Sequence, residues 1–430
     1  MRSINIFYGW WIIGAVFLIA AYVGGVIVFG FTAVFEPIVE EFDWSYTQIS
    51  VAASIRGLES SFLAPVVGYL LDRFGLRKVI GSGIIVGGLG LLLLSRVNSI
   101  AFFYSTFVLM AVCVSTCTGP VPMVAAANWF RKRLTLAIGI AASGVALGGL
   151  LVPLVTRIID TLGWRTAMVI FAIGIWAILL PLSLLVRHKP EQYGYLPYGV
   201  EKRGEPLAGG GLAPVQTDET DIGVKQAMRS RPFWHLTLGL TFHMFVINAV
   251  IVHIMPYLGT IGVNRTIASI AASAVAVMSV LGRVGSGWFG DKYDRKKLIV
   301  FSYALLGVSI LLFGFVGAVG TWLLVPLLIL FGIGFGGPVP LMPAMLRDYY
   351  GRAHLGTILG LVSGIASLGM ASGAPVAGWI YDTLGNYQTA WFAFTFVVIA
   401  GMVSIMTIPS VGNALLTAND SKGYFEEYRQ

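Results

Sequence analysis

Charge is what this 430-residue chain has little of: 11% of its residues are Asp, Glu, Lys or Arg, against about a quarter in an average soluble domain. Hydrophobic residues make up 57%. This balance excludes an ordinary soluble domain and points to a polytopic membrane protein, long enough for about a dozen spans with short loops. Cysteine is nearly absent. Cys113 and Cys117 stand one helical turn apart in an apolar segment, which reads as packing and excludes a disulfide framework. Metal and nucleotide motifs are missing, so no cofactor is expected. The Gly-rich "GFGG" at 334–337 lies inside an apolar run, without the Lys and Ser/Thr a phosphate loop needs. A signal peptide is not expected either, because the apolar run from Trp10 to Val34 outlasts an h-region and has no cleavage site. The net charge of +8 is spread over short loops, which argues against nucleic acid as a partner and for anchoring at a lipid bilayer.

What is there is a series of apolar runs at about 10–34, 46–71, 79–95, 101–126, 134–158, 166–186, 235–258, 267–290, 298–318, 321–345, 355–380 and 388–409. The expectation is an all-α membrane protein of twelve transmembrane helices. Lys and Arg set its orientation. With both termini in the cytoplasm, 22 of the 28 basic residues fall in cytoplasmic segments, four in outer loops, and two, Arg56 and Arg283, within spans. The first outer loop is acidic (Glu36, Glu40, Glu41, Asp43). A cell membrane of the bacterial inner type is the expected location. Residues 187–231, with "GEPLAGGGLAP" at 204–214, read as a flexible linker.

The chain also repeats itself. "GPVP" occurs at Gly119–Pro122 and at Gly337–Pro340; "DTLGWRTA" from Asp160 answers "DTLGNYQTA" from Asp382; Pro153 answers Pro375; Gly68 and Asp72 answer Gly287 and Asp291. The offsets stay between 218 and 222. Two parallel six-helix repeats facing a central cavity follow, with a first bundle at 1–187, the linker at 188–231, a second bundle at 232–410 and a cytoplasmic tail at 411–430.

"DRFGLRK" at Asp72–Lys78 and "DKYDRKK" at Asp291–Lys297 resemble the two loop motifs of the major facilitator superfamily. Within it, "NWFRKRLTLAIGIAASG" (Asn128–Gly144) resembles the fifth-span signature of monocarboxylate transporters and the oxalate/formate group. "FYGWW" (Phe7–Trp11) partly resembles their first-span signature. "KPEQYGYLP" (Lys189–Pro197) and "YYGRAHLGTILGL" (Tyr349–Leu361) resemble bacterial members. The resemblance implies the major facilitator fold and secondary transport of a small carboxylate by a monomer, with a proton as coupling ion or by anion exchange. It also implies that the eighth-span Arg binds the substrate. Two features depart from the pattern. The first span has no Lys, and Ser279 stands where animal-type members carry an acidic residue; the Lys of oxalate carriers is missing from the eleventh span.

Arg283 lies eight residues before Asp291, about 12 Å into the bilayer, where a guanidinium costs about 2.5–3.5 kcal/mol and must face a wet cavity or a partner. Ala272, Ala276, Ser279, Arg283 and Ser286 or Gly287 form a stripe of small residues. Two readings stand: a bidentate clamp for a carboxylate, or a structural Arg paired with Glu59 or with carbonyls. Arg56 and Glu59 are three residues apart and read as an ion pair; alternatively Glu59 accepts the coupled proton and frees Arg56. His253, just before Pro256, is the favoured histidine for the substrate, with Asn248 beside it. His243 is the other candidate for a coupled proton. Ser363 and Ser367 line the pathway or pack. Asp72 with Arg73, and Asp291 with Lys292 and Arg295, are expected to form inside-face ion pairs that gate it. Export of a larger amphipathic solute is the alternative function, because Gly119 stands where bacterial carriers of this type often have Tyr. A receptor or an enzyme is the remote one.

Overall fold

The computed structural model describes residues 7–44, 46–199 and 222–409; at 32, 35 and 36, along 46–58 and at 60, 265, 266 and 269 it describes the helix without its side chains. Twelve long helices organise these residues. They are α1 (Tyr8–Phe29), α2 (Tyr46–Phe74), α3 (Leu76–Leu94), α4 (Ile100–Trp129), α5 (Leu134–Leu162), α6 (Trp164–Leu185), α7 (Arg231–Thr260), α8 (Arg265–Gly290), α9 (Arg295–Phe313), α10 (Thr321–Tyr350), α11 (Leu355–Leu384) and α12 (Gln388–Met406). Eleven are long and apolar enough to cross a membrane. The twelfth, α2, is 29 residues long and carries Arg56, Glu59, Asp72 and Arg73; the side chains of most of its first half lie outside the described residues, and the expected span at 46–71 coincides with it.

The repeated residues mark where the helices depart from ideality. α4 is interrupted at Gly119–Pro120 and α10 at Gly337–Pro338. In both, "GPVP" supplies a proline that can start a helix but cannot donate into the turn before it. Gly163, between α5 and α6, and Gly385, between α11 and α12, both have positive φ (79° and 69°), a conformation that suits glycine. The repeat is imperfect at one place: Pro153 follows a 3-10 turn that divides α5, whereas Pro375 sits within an unbroken α11. In α1 the turn widens to a π-helix at Gly24–Phe29, where Gly24 and Gly25 lie against the backbone of Val145 and Gly148.

Helices of the first half meet helices of the second along two seams, α2 with α11 and α5 with α8. Since α8 repeats α2 and α11 repeats α5, the seams are two copies of one contact. Each is lined by glycine. A Cβ on Gly68 would run into the Gly356 carbonyl, and one on Gly360 into the Ala64 carbonyl; one on Gly287 would stand 2.9 Å from the Thr135 carbonyl. Small residues let apolar spans approach to backbone contact, where dispersion and weak hydrogen bonds hold them.

The connection between the halves leaves α6 and enters α7 at one end of the bundle, called here the linker end. Its first residues are not free. Tyr198 N donates to Trp129 O at 2.8 Å, and Arg131 N and Lys132 N donate to Tyr198 O, both at 3.0 Å. Phe7, Trp10, Phe130 and Tyr198 pack edge-on or tilted against one another, and Tyr8 stacks on Tyr195 beside Trp129. The Arg187 guanidinium lies over Tyr8 and Tyr193, 4.3 and 4.5 Å from the ring centres. Three of the quoted motifs therefore form a single aromatic collar. The flexible linker read from the sequence is corrected to this extent: 187–199 pack on the first half, because their tyrosines have apolar partners there. Residues 200–221 and the tail from 410 lie outside the described residues.

Candidate functional site

At the linker end the two seams close with matched polar latches. Asp72, at the end of α2, accepts from Gly356 N (3.0 Å), Thr357 N (2.7 Å) and Thr357 Oγ1 (2.6 Å). Asp291, just past α8, accepts from Thr135 N (2.9 Å) and Leu136 N (3.1 Å). Each carboxylate thus caps the N-terminus of a helix in the opposite half. It satisfies amides with no intrahelical partner and faces the positive end of the helix dipole. Thr135 and Thr357 are themselves equivalent in the repeat.

These latches replace the ion pairs expected from the loop motifs. Arg73 does not pair with Asp72; its Nη1 donates to Tyr69 OH at 2.6 Å, and its guanidinium lies over the Tyr69 and Phe74 rings. Lys292 sits over Trp288, 3.6 Å from the ring centre. Arg295 donates to Thr135 Oγ1 at 3.2 Å and pairs with Asp348, so it braces the latch instead of neutralising Asp291. The physical reason is that two convergent amides at a helix start are a better match for a carboxylate than a neighbouring flexible cation. Two further arginines, not singled out from sequence, cross the same gap. Buried Arg347 donates to the Phe130 carbonyl. Arg352 donates to the Asn128 carbonyl at 3.2 Å and pairs with Glu191 at 2.9 Å.

Deeper in the bundle the polar groups lose their partners. Arg283 sits on the α5–α8 seam. Its Nη1 donates to Ala142 O of α5 at 2.8 Å, and its guanidinium carbon is 5.5 Å from the centre of the Phe335 ring on α10. Its Nε is buried without a hydrogen bond. No carboxylate among the described residues pairs with it. The structural pairing with Glu59 is not formed, and the interface between the halves holds a guanidinium with most of its five donors unused. Glu59 on α2 likewise has a buried Oε2 with no partner, as does Ser61 Oγ. The expected ion pair with Arg56 is not made at that oxygen; the Arg56 side chain lies outside the described residues.

The two histidines differ in how their ring nitrogens are satisfied. His253 is fully engaged within the second half. Nε2 donates to the Ala374 carbonyl at 3.0 Å, and Nδ1 accepts from Tyr387 OH, also at 3.0 Å. It packs α7 against α11 and α12, and the substrate role read from its place beside Pro256 is not supported. His243 is 1% exposed. Nε2 donates to Gly334 O at 3.2 Å, and Nδ1 is buried without a partner. The ring lies 5.4 Å from that of Tyr303 and 6.4 Å from that of Phe335. Phe335 therefore neighbours both His243 and Arg283.

Ser279 is also corrected. It is fully buried, donates to its own helix at Ala276 O (2.7 Å) and lies under Gly336 of α10, so it packs instead of facing a solute. Asn248 Nδ2 donates to Met370 O at 2.7 Å. Met370, with Met123, Met244, Met342, Ser363 and Ser367, borders a cavity of about 150 Å³ between α4, α7, α10 and α11. Ser367 Oγ is spent on Ser363 O at 2.8 Å. The methionines escaped the sequence reading because they stand on four different helices (Met123 on α4, Met244 on α7, Met342 on α10, Met370 on α11); only the fold gathers them.

A helical bundle of two repeats, joined across a seam of glycines and latched at one end, with unpaired polar groups and a cavity at its middle, is the architecture of a membrane carrier. The profile of the Major Facilitator Superfamily matches residues 11–284 and 250–421, and the chain belongs to that superfamily. Monocarboxylate transporter 13 of Rattus norvegicus is 26% identical, over 94% of this chain and 89% of that one; monocarboxylate transporter 12 of Xenopus laevis is 27% identical, over 83% and 79%. The crystal structure of the E. coli fucose:proton symporter superposes with a TM-score of 0.66 at 14% identity, covering 92% of this chain and 98% of the other. The protein is a multi-pass membrane transporter of this superfamily, related to the monocarboxylate transporter group, and not an enzyme.

Proposed function

We propose that the protein carries a small organic acid, a monocarboxylate with an apolar body, across the membrane by alternating access. The observation that carries this reading is Arg283: a guanidinium on the seam between halves, with one carbonyl as its hydrogen-bond partner and no counter-ion among the described residues. A carboxylate entering the seam takes up the unused donors as a bidentate, charge-assisted pair. The Met-lined cavity one turn of α10 beyond Phe335 supplies apolar surface of adaptable shape for the rest of the solute. The relatives' printed names point to the same chemistry.

The distribution of basic residues supports a cytoplasmic linker end, and the Asp72 and Asp291 latches close that end. Opening it breaks both caps and slides both glycine seams, which makes the latches the gate. The coupling ion is a proton. The apolar, methionine-rich cavity also favours a bulkier amphipathic solute as a second reading.

The test uses purified protein in liposomes. Labelled benzoate is expected to accumulate in response to an inward proton gradient, and unlabelled benzoate to compete. If collapse of the gradient leaves uptake unchanged, exchange replaces symport. If drug-like cations compete and carboxylates do not, the second reading replaces the first.

A further inference from the structure

Four buried polar atoms in the middle of the bundle lack partners, and they do not all need one for the same reason. Arg283 Nε is part of the proposed anion site. Ser61 Oγ and Glu59 Oε2 lie on the α2–α11 seam. His243 Nδ1 is different, because its state follows from the other nitrogen of the ring. The Gly334 carbonyl can only accept, so Nε2 carries the hydrogen and Nδ1 presents a bare lone pair. A neutral imidazole locked in this tautomer is a proton acceptor held ready in an apolar enclosure.

We propose that His243 Nδ1 is the site of the coupled proton, and that Phe335 links its occupancy to that of Arg283. The inference rests on the carboxylate reading of Arg283 and deepens it. The titratable and charged groups that face the ring are few. Tyr303 on α9 stacks at 5.4 Å, with its hydroxyl donating away to Gly239 O at 2.7 Å. Arg283 on α8 neighbours the same Phe335 ring. From α10 come Gly334 and Phe335. With Arg283 bare, an imidazolium here repels the guanidinium that shares Phe335 as a neighbour, in apolar surroundings. With a carboxylate on Arg283, the pair is neutral and the imidazolium is offset. Anion and proton therefore bind together or not at all, which is the thermodynamic content of symport. No covalent bond changes: the proton comes from water on the open side, resides on Nδ1, and leaves to water on the other side after the anion dissociates. Leu240 and Met244, which flank His243 on α7, border the cavity, so the ring lies next to the space through which that water enters. This arrangement also accounts for a chain that has neither the first-span Lys nor an acidic residue at Ser279.

The experiment counts protons taken up when benzoate binds to purified protein, by calorimetry in two buffers of different ionisation enthalpy. Wild type is expected to take up about one proton per benzoate, and its benzoate Kd to weaken about tenfold per pH unit once Nδ1 is mostly unprotonated. His243→Gln, which keeps a donor for Gly334, and His243→Asn are expected to bind benzoate with no proton uptake. In liposomes both are expected to lose gradient-driven accumulation while keeping benzoate–benzoate exchange. Proton uptake unchanged in either variant overturns the proposal. If neither variant folds, wild-type protein with 15N-labelled histidine decides the question: benzoate must move one Nδ1 resonance from the unprotonated to the protonated range, and a spectrum with no such change overturns the assignment. Wild-type protein that binds no carboxylate at all removes the Arg283 reading and this inference with it. Binding without proton uptake removes this inference alone.

Discussion

The linker end and the middle of the bundle spend their polar groups in opposite ways. At the linker end every carboxylate in the two loop motifs finds donors: Asp72 has three hydrogen bonds, Asp291 has two, and Asp294 caps α9 through Lys297 N at 3.0 Å. In the middle, Arg283 Nε, His243 Nδ1, Glu59 Oε2 and Ser61 Oγ are buried with none. A buried polar group without a partner costs about 1–3 kcal/mol. His188 Nδ1, at the linker end, and Trp391 Nε1 are also buried without a partner, so the contrast holds for the carboxylates of the latches and not for every group.

Substitutions can break that contrast or sharpen it. The largest effect is expected at Arg283. Arg283→Lys keeps the charge and loses the fork, and uptake is expected to fall at least about 30-fold, from the 2–5 kcal/mol typical of disrupting a desolvated charge pair. Melting temperature in detergent should change little, since one carbonyl bond is at stake. Normal uptake would assign Arg283 to structure. Next come the latches. Asp72→Asn and Asp291→Asn each remove charge-assisted bonds across the seam, about 1–2 kcal/mol, and shift the chain toward a state open at the linker end. A cysteine at Ser363, on the cavity wall, should then react about 5–30 times faster with a membrane-impermeant maleimide added at the linker side. Asp72→Asn should exceed Asp291→Asn, because Asp72 loses a hydroxyl partner as well and has no counterpart to Arg295.

Glu59→Gln should go the other way from the latches. Replacing a bare buried carboxylate oxygen with an amide raises stability by about 1 kcal/mol, read as a higher melting temperature; a fall would mean that Glu59 is partnered after all. The smallest effect is at the loops. Burial pushes the His188 pKa down to about 4, with neighbouring Lys189 adding to the shift. The folded state thus binds fewer protons there than an unfolded histidine near 6.5. The stability is fully present above about pH 6.5 and is lost as pH falls toward 4. At the opposite end of the bundle, Arg165 holds the Glu41 carboxyl below its ordinary value, first by hydrogen bonding. That contribution is present above about pH 4.5 and fades as the carboxyl protonates. His188→Asn should flatten the pH 4–6.5 limb of a melting curve, and Glu41→Gln the limb below it.

The architecture was readable from the chain because its signals are local: apolar runs of span length, and repeated Gly and Pro at fixed offsets that turned out to break α4 and α10 at matching points. The loop aspartates were readable as a pair but not as caps, since their partners are backbone amides that no side-chain pattern advertises. Thr135 and Thr357 did carry a signal, the repeat itself, but each lies in a motif that draws attention to its charges. The surroundings of the two histidines were not legible. Ten residues apart on one helix, they differ in what packs against them, and Tyr387, Gly334 and Phe335 come from helices far along the chain. Arg283 could be placed in depth by counting residues; that Ala142 would be its partner could not.

Along α2 and α11 the backbones of Gly68, Gly356 and Gly360 touch, so this joint has no clearance. A methyl group there would act as a doorstop, keeping the two leaves ajar whatever the solute does. Selection on such a hinge works by forbidding bulk, and alanine at Gly360 would test its tolerance with the least added matter.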